Sequence, residues 1–167
     1  MLPEKADQML RDYKPFLGRT KYLSALIPEL KAEAAAWRRN LPNELCYVGA
    51  QNIDGMPHGS TVGNPTERIG IMLAEGYTPD GLKELEKQIT EYEQELREKG
   101  IVLRFVEAWL DGLTEKERWI VQMQVIDGAY WREIVAEYHR RYGEEYSKEG
   151  LKKIKEGAIA KIHQMAS

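Results

Sequence analysis

Lys148, Lys152 and Lys155 stand four and three residues apart, which places their ammonium groups on one stripe of an α-helix. Leu151, Ile154, Ala158, Ile162 and Met165 recur at the same period and form a second, apolar stripe. A helix of this kind packs one face on its own domain while the other offers cations and hydrogen-bond donors to a nucleic-acid groove. Ser147 stands just before it, where a hydroxyl caps exposed amides. Over residues 147–167, Lys148, Lys152, Lys153, Lys155 and Lys161 face only Glu149 and Glu156, a local charge of +3 in a chain whose net charge is -3. Binding to a polyanion therefore has to come from a local patch, because 24 Lys and Arg against 27 Asp and Glu give no global pull.

Other chemistry is poorly supplied. His58, His139 and His163 are scattered with no His-Glu-x-x-His spacing, and Cys46 has no partner for a disulfide or a metal site. Carboxylates are plentiful on the central helix, but the Glu-x-x-His pairs of a di-metal centre are missing, as is a glycine-rich loop between strand and helix. The expectation is a protein without catalytic residues, cofactor or metal. His58 reads as a turn residue, Cys46 as a small buried hydrophobe, and Trp37, Trp109, Trp119 and Trp131 as core anchors on apolar stripes.

The elements that must position the lysines are helical. A chain of 167 residues, 43% hydrophobic and 31% charged, has the make-up of a folded domain, and no alternating strand pattern is present. The expected fold is all-α: an N-terminal helical hairpin with a long heptad helix, followed by three C-terminal helices. No apolar run reaches the roughly 20 residues of a membrane span. Nothing at the N-terminus resembles a secretory leader, and the expected location is the cytoplasm.

Residues 1–112 are expected to serve oligomerisation or partner contact. Phe16, Leu23, Ile27, Leu30, Ala34 and Trp37 keep helical spacing, with Pro15 expected to start a helix and Pro28 to kink it or open the next. Gly49 to Asn64 reads as a loop, Pro65 as the start of a short helix ending near Gly76, and Thr78 and Pro79 as cap and first residue of a helix over about 79–111. Leu82, Leu85, Ile89, Tyr92 and Leu96, then Leu103, Val106, Leu110 and Leu113, form a heptad stripe that needs a helical partner, from the same chain or from a second copy.

Residues 113–167 divide into a helix capped by Thr114 and Glu117, a second from Trp131 to about Arg141, and the lysine-striped third. The run L-T-E-K-E-R-W-I-V-Q-M-Q, the W-R-E-I-V helix and S-K-E-G-L-K-K-I-K-E-G-A-I-A-K-I together resemble region 4 of primary sigma factors, the helix-turn-helix that reads the minus-35 promoter element. The upstream order adds to this, with Tyr13-Lys14, I-D-G-M-P-H-G at 53–59, Pro65-Thr66 and a heptad helix. That order is similar to transcriptional regulators of the ArpU/RinA type, which control late genes of phages and prophages in Gram-positive bacteria.

The resemblance implies roles for individual residues. Ser147 takes the helix-cap position, and Lys148, Glu149 and Lys153 fall at positions that contact base edges; a lysine donates to guanine, and a glutamate accepts from the cytosine amino group. Lys152 and Lys155 share the exposed side and serve phosphate or base, while Lys116 and Arg132 are phosphate candidates. Gln122 and Gln124 stand where sigma factors tend to carry arginine, and His139 to Tyr146 is longer than a sigma-like turn needs, which lengthens the second helix or widens the loop. The function expected on this basis is a sequence-specific DNA-binding transcriptional regulator. Its partners are double-stranded DNA, host RNA polymerase and a second copy of the chain, with no membrane. The alternative is a helical assembly component, such as a small DNA-packaging subunit.

Overall fold

The computed structural model describes residues 3–51 and 65–167, with side chains for 4–43 and 70–167. The described residues are all helix and connection: α1 Pro3–Gln51, α2 Pro65–Ala74, α3 Asp80–Asp111, α4 Glu115–Val121 followed by a π-helical turn Gln122–Ile126, α5 Trp131–Tyr142 and α6 Lys148–Ala166. The expected all-α fold is present. Residues 49–51 of the expected loop are helical, since α1 runs through Gln51, and the rest of that stretch, with His58, lies outside the described residues, as does the Cys46 side chain.

Pro15 and Pro28 neither start nor break a helix; both lie inside α1 on its solvent side. Each proline forfeits one bond to the carbonyl four residues back, at Arg11 and Ser24, and both of those residues are exposed, on the side of the helix where a lost backbone bond costs least. The buried positions Thr20, Leu23, Ile27, Ala34 and Leu41 meanwhile keep one apolar face continuous.

Residues 1–22 and 95–167 form one compact unit and residues 23–94 another. Residues 113–167 lie wholly within the first. In the second, α1 and α3 run antiparallel: Arg38 pairs with Glu86 and Lys31 with Glu93. Leu82, Ile89 and Ala34 are buried, and the Trp37 ring lies so close to Gly81 that a β-carbon there would sit 2.7 Å from it. Helix α2 ends where Tyr77 N–H reaches the Met72 carbonyl and Gly76 N–H the Leu73 carbonyl, with Gly76 at φ 80°. This is a Schellman closure, which glycine suits because it alone enters the left-handed region without steric cost. Thr78 donates to the Gly76 carbonyl at 3.4 Å rather than capping α3, which begins at Asp80.

The first unit has two apolar cores. One joins Ala6, Met9 and Leu10 of α1, Val106, Trp109 and Leu110 of α3, Val121 of α4 and Ala158 and Ile162 of α6, with Leu113 and Ile126 from the connections. The other gathers Ile120, Ile134, Tyr138 and Leu151, flanked by Trp119, Met123, Trp131, Val135, Tyr142 and Ile154. The heptad stripe of α3 is thus covered by α1 of the same chain, its polar interruption included. Lys99 lies 4.1 Å from the Phe16 ring centre and pairs with Glu95, which takes both Arg19 donors at 2.9 and 2.8 Å. The Arg19 hydrogen bonds hold the Glu95 carboxyl below its ordinary range against a burial contribution that raises it, and Lys99 adds to the lowering.

Candidate nucleic-acid interface

Three helices present the candidate residues, and each has a local reason to form. Helix α4 opens with a capping box: the Thr114 hydroxyl accepts from the Glu117 amide, and Glu117 accepts from the Thr114 amide at 3.0 Å. Burial pushes the Glu117 carboxyl up, but bonds from Lys161 and from the Thr114 amide and hydroxyl outweigh it and hold the carboxyl below its ordinary value. That Lys161 bond, at 2.6 Å, joins α6 to the start of α4. Helix α4 widens into its π turn at Gln122, where the Asp127 amide reaches back five residues, and Gly128 at φ 70° turns the chain. In α5 Glu133 accepts from the Tyr130 amide at 3.3 Å. In α6 the Ser147 hydroxyl accepts from the Gly150 amide at 3.1 Å, the capping expected from the sequence.

The connection between α5 and α6 combines both sequence alternatives. Helix α5 extends to Tyr142, Gly143 at φ 67° closes it, and residues 143–147 lead to α6. That segment is fastened. Lys116 of α4 donates to both Glu144 oxygens at 2.7 and 2.8 Å, and the Tyr138 hydroxyl donates to Glu144 at 3.5 Å. Tyr138 packs edge-on against Tyr146 at 5.5 Å, and Trp119 meets Tyr138 and Tyr142 at 5.8 and 6.1 Å. Burial pushes the Tyr138 phenol up; Lys116 opposes this, Glu144 and Tyr146 reinforce it, and the hydroxyl remains a donor. Aromatic pairs of this kind add about 0.5 to 1.5 kcal/mol beyond their area, so the longer connection is held and not slack.

On α6 the apolar residues Leu151, Ala158 and Ile162 are fully buried and Ile154 half-buried, whereas Met165 is exposed. Gly150 sits under the Tyr146 ring, and a β-carbon there would lie 3.1 Å from it; Gly157 faces open space.

At 100° per residue, Lys148, Lys152 and Lys155 share the flank beside the buried stripe, and Glu149 and Lys153 point farthest from it. Lys148, Glu149 and Lys153 are exposed, and Lys152 and Lys155 half-buried. These lysines and the exposed Arg132 make no ion pair among the described residues. Lys116 is different: its ammonium is taken by Glu144 and lies 5.6 Å from the Tyr142 ring centre, and that hydrogen bond, against some burial, raises its pKa. The structure therefore brings Ser147, Lys148, Glu149, Lys152, Lys153 and Lys155 together on one helix, places Arg132 on α5, and gives Lys116 an internal partner.

Two residues went unnoticed in the sequence. Glu144 is the anchor of the turn, and Arg11 of α1 lines a cleft of about 300 Å³ with Asp7, Gln124, Val125, Lys155 and Ile159. No local pattern marks a contact between residues so far apart in the chain. Among the described residues no three His, Cys, Asp or Glu side chains are grouped as metal ligands, and no helix is long and apolar enough to cross a membrane. No family model, curated protein or solved structure matches the chain.

Proposed function

We propose that this protein is a DNA-binding transcriptional regulator of the ArpU/RinA type, which reads promoter DNA with the helix that begins at Ser147. The observation that carries this reading is the solvent side of α6: Lys148, Lys152, Lys153 and Lys155 stand unpaired around a capped N-terminus, on a helix whose other side is buried against α4 and α5. Lys148, Lys152 and Lys155 on one flank, with Lys153 on the outermost side, give this end of α6 a local positive field that suits a polyanion, and each phosphate contact releases counterions. Glu149 and Lys153 point farthest from the core and take the role of reading base edges, Lys148 beside them; Lys152, Lys155 and Arg132 bind phosphate. Lys116 serves the fold. In this reading the protein acts in the cytoplasm of a bacterial host, and RNA polymerase and a second copy of the chain are its further partners.

The test begins with genome-wide mapping of bound DNA in an expressing bacterial host. The recovered duplex and a scrambled duplex are then titrated in competition at two salt concentrations. Lys152→Ala weakens both complexes and lowers the salt slope by about one unit. Glu149→Ala and Lys153→Ala cost roughly 1 to 3 kcal/mol on the mapped duplex and little on the scrambled one. Unchanged affinity and specificity in all these variants, with an intact circular dichroism spectrum, would replace this reading with that of a helical assembly component.

A further inference from the structure

The lysine stripe of α6 does not end at its own helix. Lys148 and Lys155, with Lys152 between them, stand seven steps apart, roughly 10 Å of helix rise. Their last member, Lys155, lines a cleft of about 300 Å³ to which α1 contributes Asp7 and Arg11, and which Gln124 also lines. Arg11 is exposed and makes no ion pair among the described residues. The carboxylate nearest to it in the cleft is already engaged, because Asp7 is bonded to His163 Nε2 at 2.8 Å. Glu156 is exposed one residue beyond Lys155.

The position of Arg11 is fixed by its neighbours. Leu10 beside it and Ala6 before it are fully buried in the core shared by α1, α3 and α6. Four residues earlier Asp7 is tied to α6, and three residues later Lys14 donates to Asp127 at 2.8 Å just beyond the π turn. Arg11 thus stands between two fastenings on the α6-facing flank of α1 and takes part in neither.

We infer that Arg11 extends the phosphate track of α6 onto α1, so that one strand of duplex DNA runs along Lys152 and Lys155 and its next phosphate enters the cleft between Lys155 and Arg11. The inference rests on the DNA-binding reading above and adds α1 to the footprint. Lys152 and Lys155 offer two phosphate contacts along the strand, and the cleft beyond Lys155 takes the next. A guanidinium grips two phosphate oxygens at once, which suits Arg11 to hold a phosphate in this cleft.

The test is fluorescence anisotropy of the full chain with a random-sequence 30-base-pair DNA duplex across a series of salt concentrations. Arg11→Gln lowers the slope of log affinity against log salt by about 0.9, one phosphate contact, and Arg11→Lys restores it. Arg104→Gln, which removes an exposed charge on α3, leaves the slope unchanged. Wild-type and Arg11→Gln slopes that coincide, while Lys152→Ala lowers the slope, overturn the inference and leave the DNA-binding reading standing. A wild-type chain that binds no duplex overturns both.

Discussion

Lys116 and Glu144 are 28 residues apart in the chain, and the ammonium of the first donates to both carboxylate oxygens of the second. The pair ties the connection that precedes α6 to the start of α4, so the orientation of the lysine-bearing helix depends on a residue that the sequence marks as a phosphate contact. The Lys116→Ala variant is expected to lower the urea midpoint slightly with m unchanged, and a double-mutant cycle with Glu144→Gln will show coupling. Its salt slope of DNA binding stays that of the wild type. A drop of about one unit in that slope would return Lys116 to the DNA surface.

Two caps hold the ends of the helices around this joint. Ser147→Ala removes the acceptor for the Gly150 amide, and Thr114→Ala removes one half of a capping box whose Glu117 also holds Lys161. Each change is expected to cost about 1 kcal/mol, with Thr114→Ala the larger because the Thr114 hydroxyl both accepts from the Glu117 amide and donates to the Glu117 carboxylate. Urea unfolding followed by circular dichroism measures both.

Glycines give an internal comparison. Gly157 lies inside α6 with open space where a side chain would go, so Gly157→Ala gains helix propensity of about 1 kcal/mol and raises Tm by about 2 to 4 °C. Gly81→Ala gains the same propensity but drives a methyl group against the rigid Trp37 ring. Overpacking costs about 1 to 3 kcal/mol, so the net change there is zero or destabilising. Thermal scans that raise Tm equally for both would show that the Trp37 ring gives way.

Asp127 supplies a pH signature. The Lys14 hydrogen bond holds its carboxyl below the ordinary value of 3.8 against some burial, with Gln122 assisting. A carboxylate with a lowered folded pKa contributes stability that is fully present above the unfolded value and is lost as pH falls through the folded one. Wild-type stability therefore drops as pH falls from about 5 to about 3, and the Asp127→Asn variant follows a shallower curve over that window. Urea midpoints taken at stepped pH check this, and parallel curves would mean that Lys14 does not hold Asp127 in solution.

Ile89 tests the pairing of α3. It is 7% exposed and belongs to the stripe that faces α1. Ile89→Asp puts a carboxylate with no partner into that contact and is expected to cost about 3 kcal/mol or more, with loss of helical signal. A variant that stays folded while a wild-type dimer becomes a monomer in sedimentation would place the contact between two chains instead.

Periodicity and cap chemistry alone determined much of this protein. The all-helical fold, the capping box at Thr114, the boundaries of α5 to within one residue and the Ser147 start of α6 follow from side-chain spacing and from local hydrogen bonds, which act over three or four residues. The heptad stripe of α3 was equally legible, but a stripe states only that some surface must cover it. Tertiary packing chose α1 as that cover and carried α1 through Pro15 and Pro28, because a continuous buried face offsets two lost backbone bonds on the wet side. Long-range placement likewise decided the candidate site. Lys116 meets Glu144, Arg11 meets the cleft beside Lys155, and Gly157 meets nothing, since each contact depends on helices brought together by cores whose members are scattered from Ala6 to Ile162. A charge shows in the sequence, whereas its partner is fixed only when apolar burial has set the distance between them.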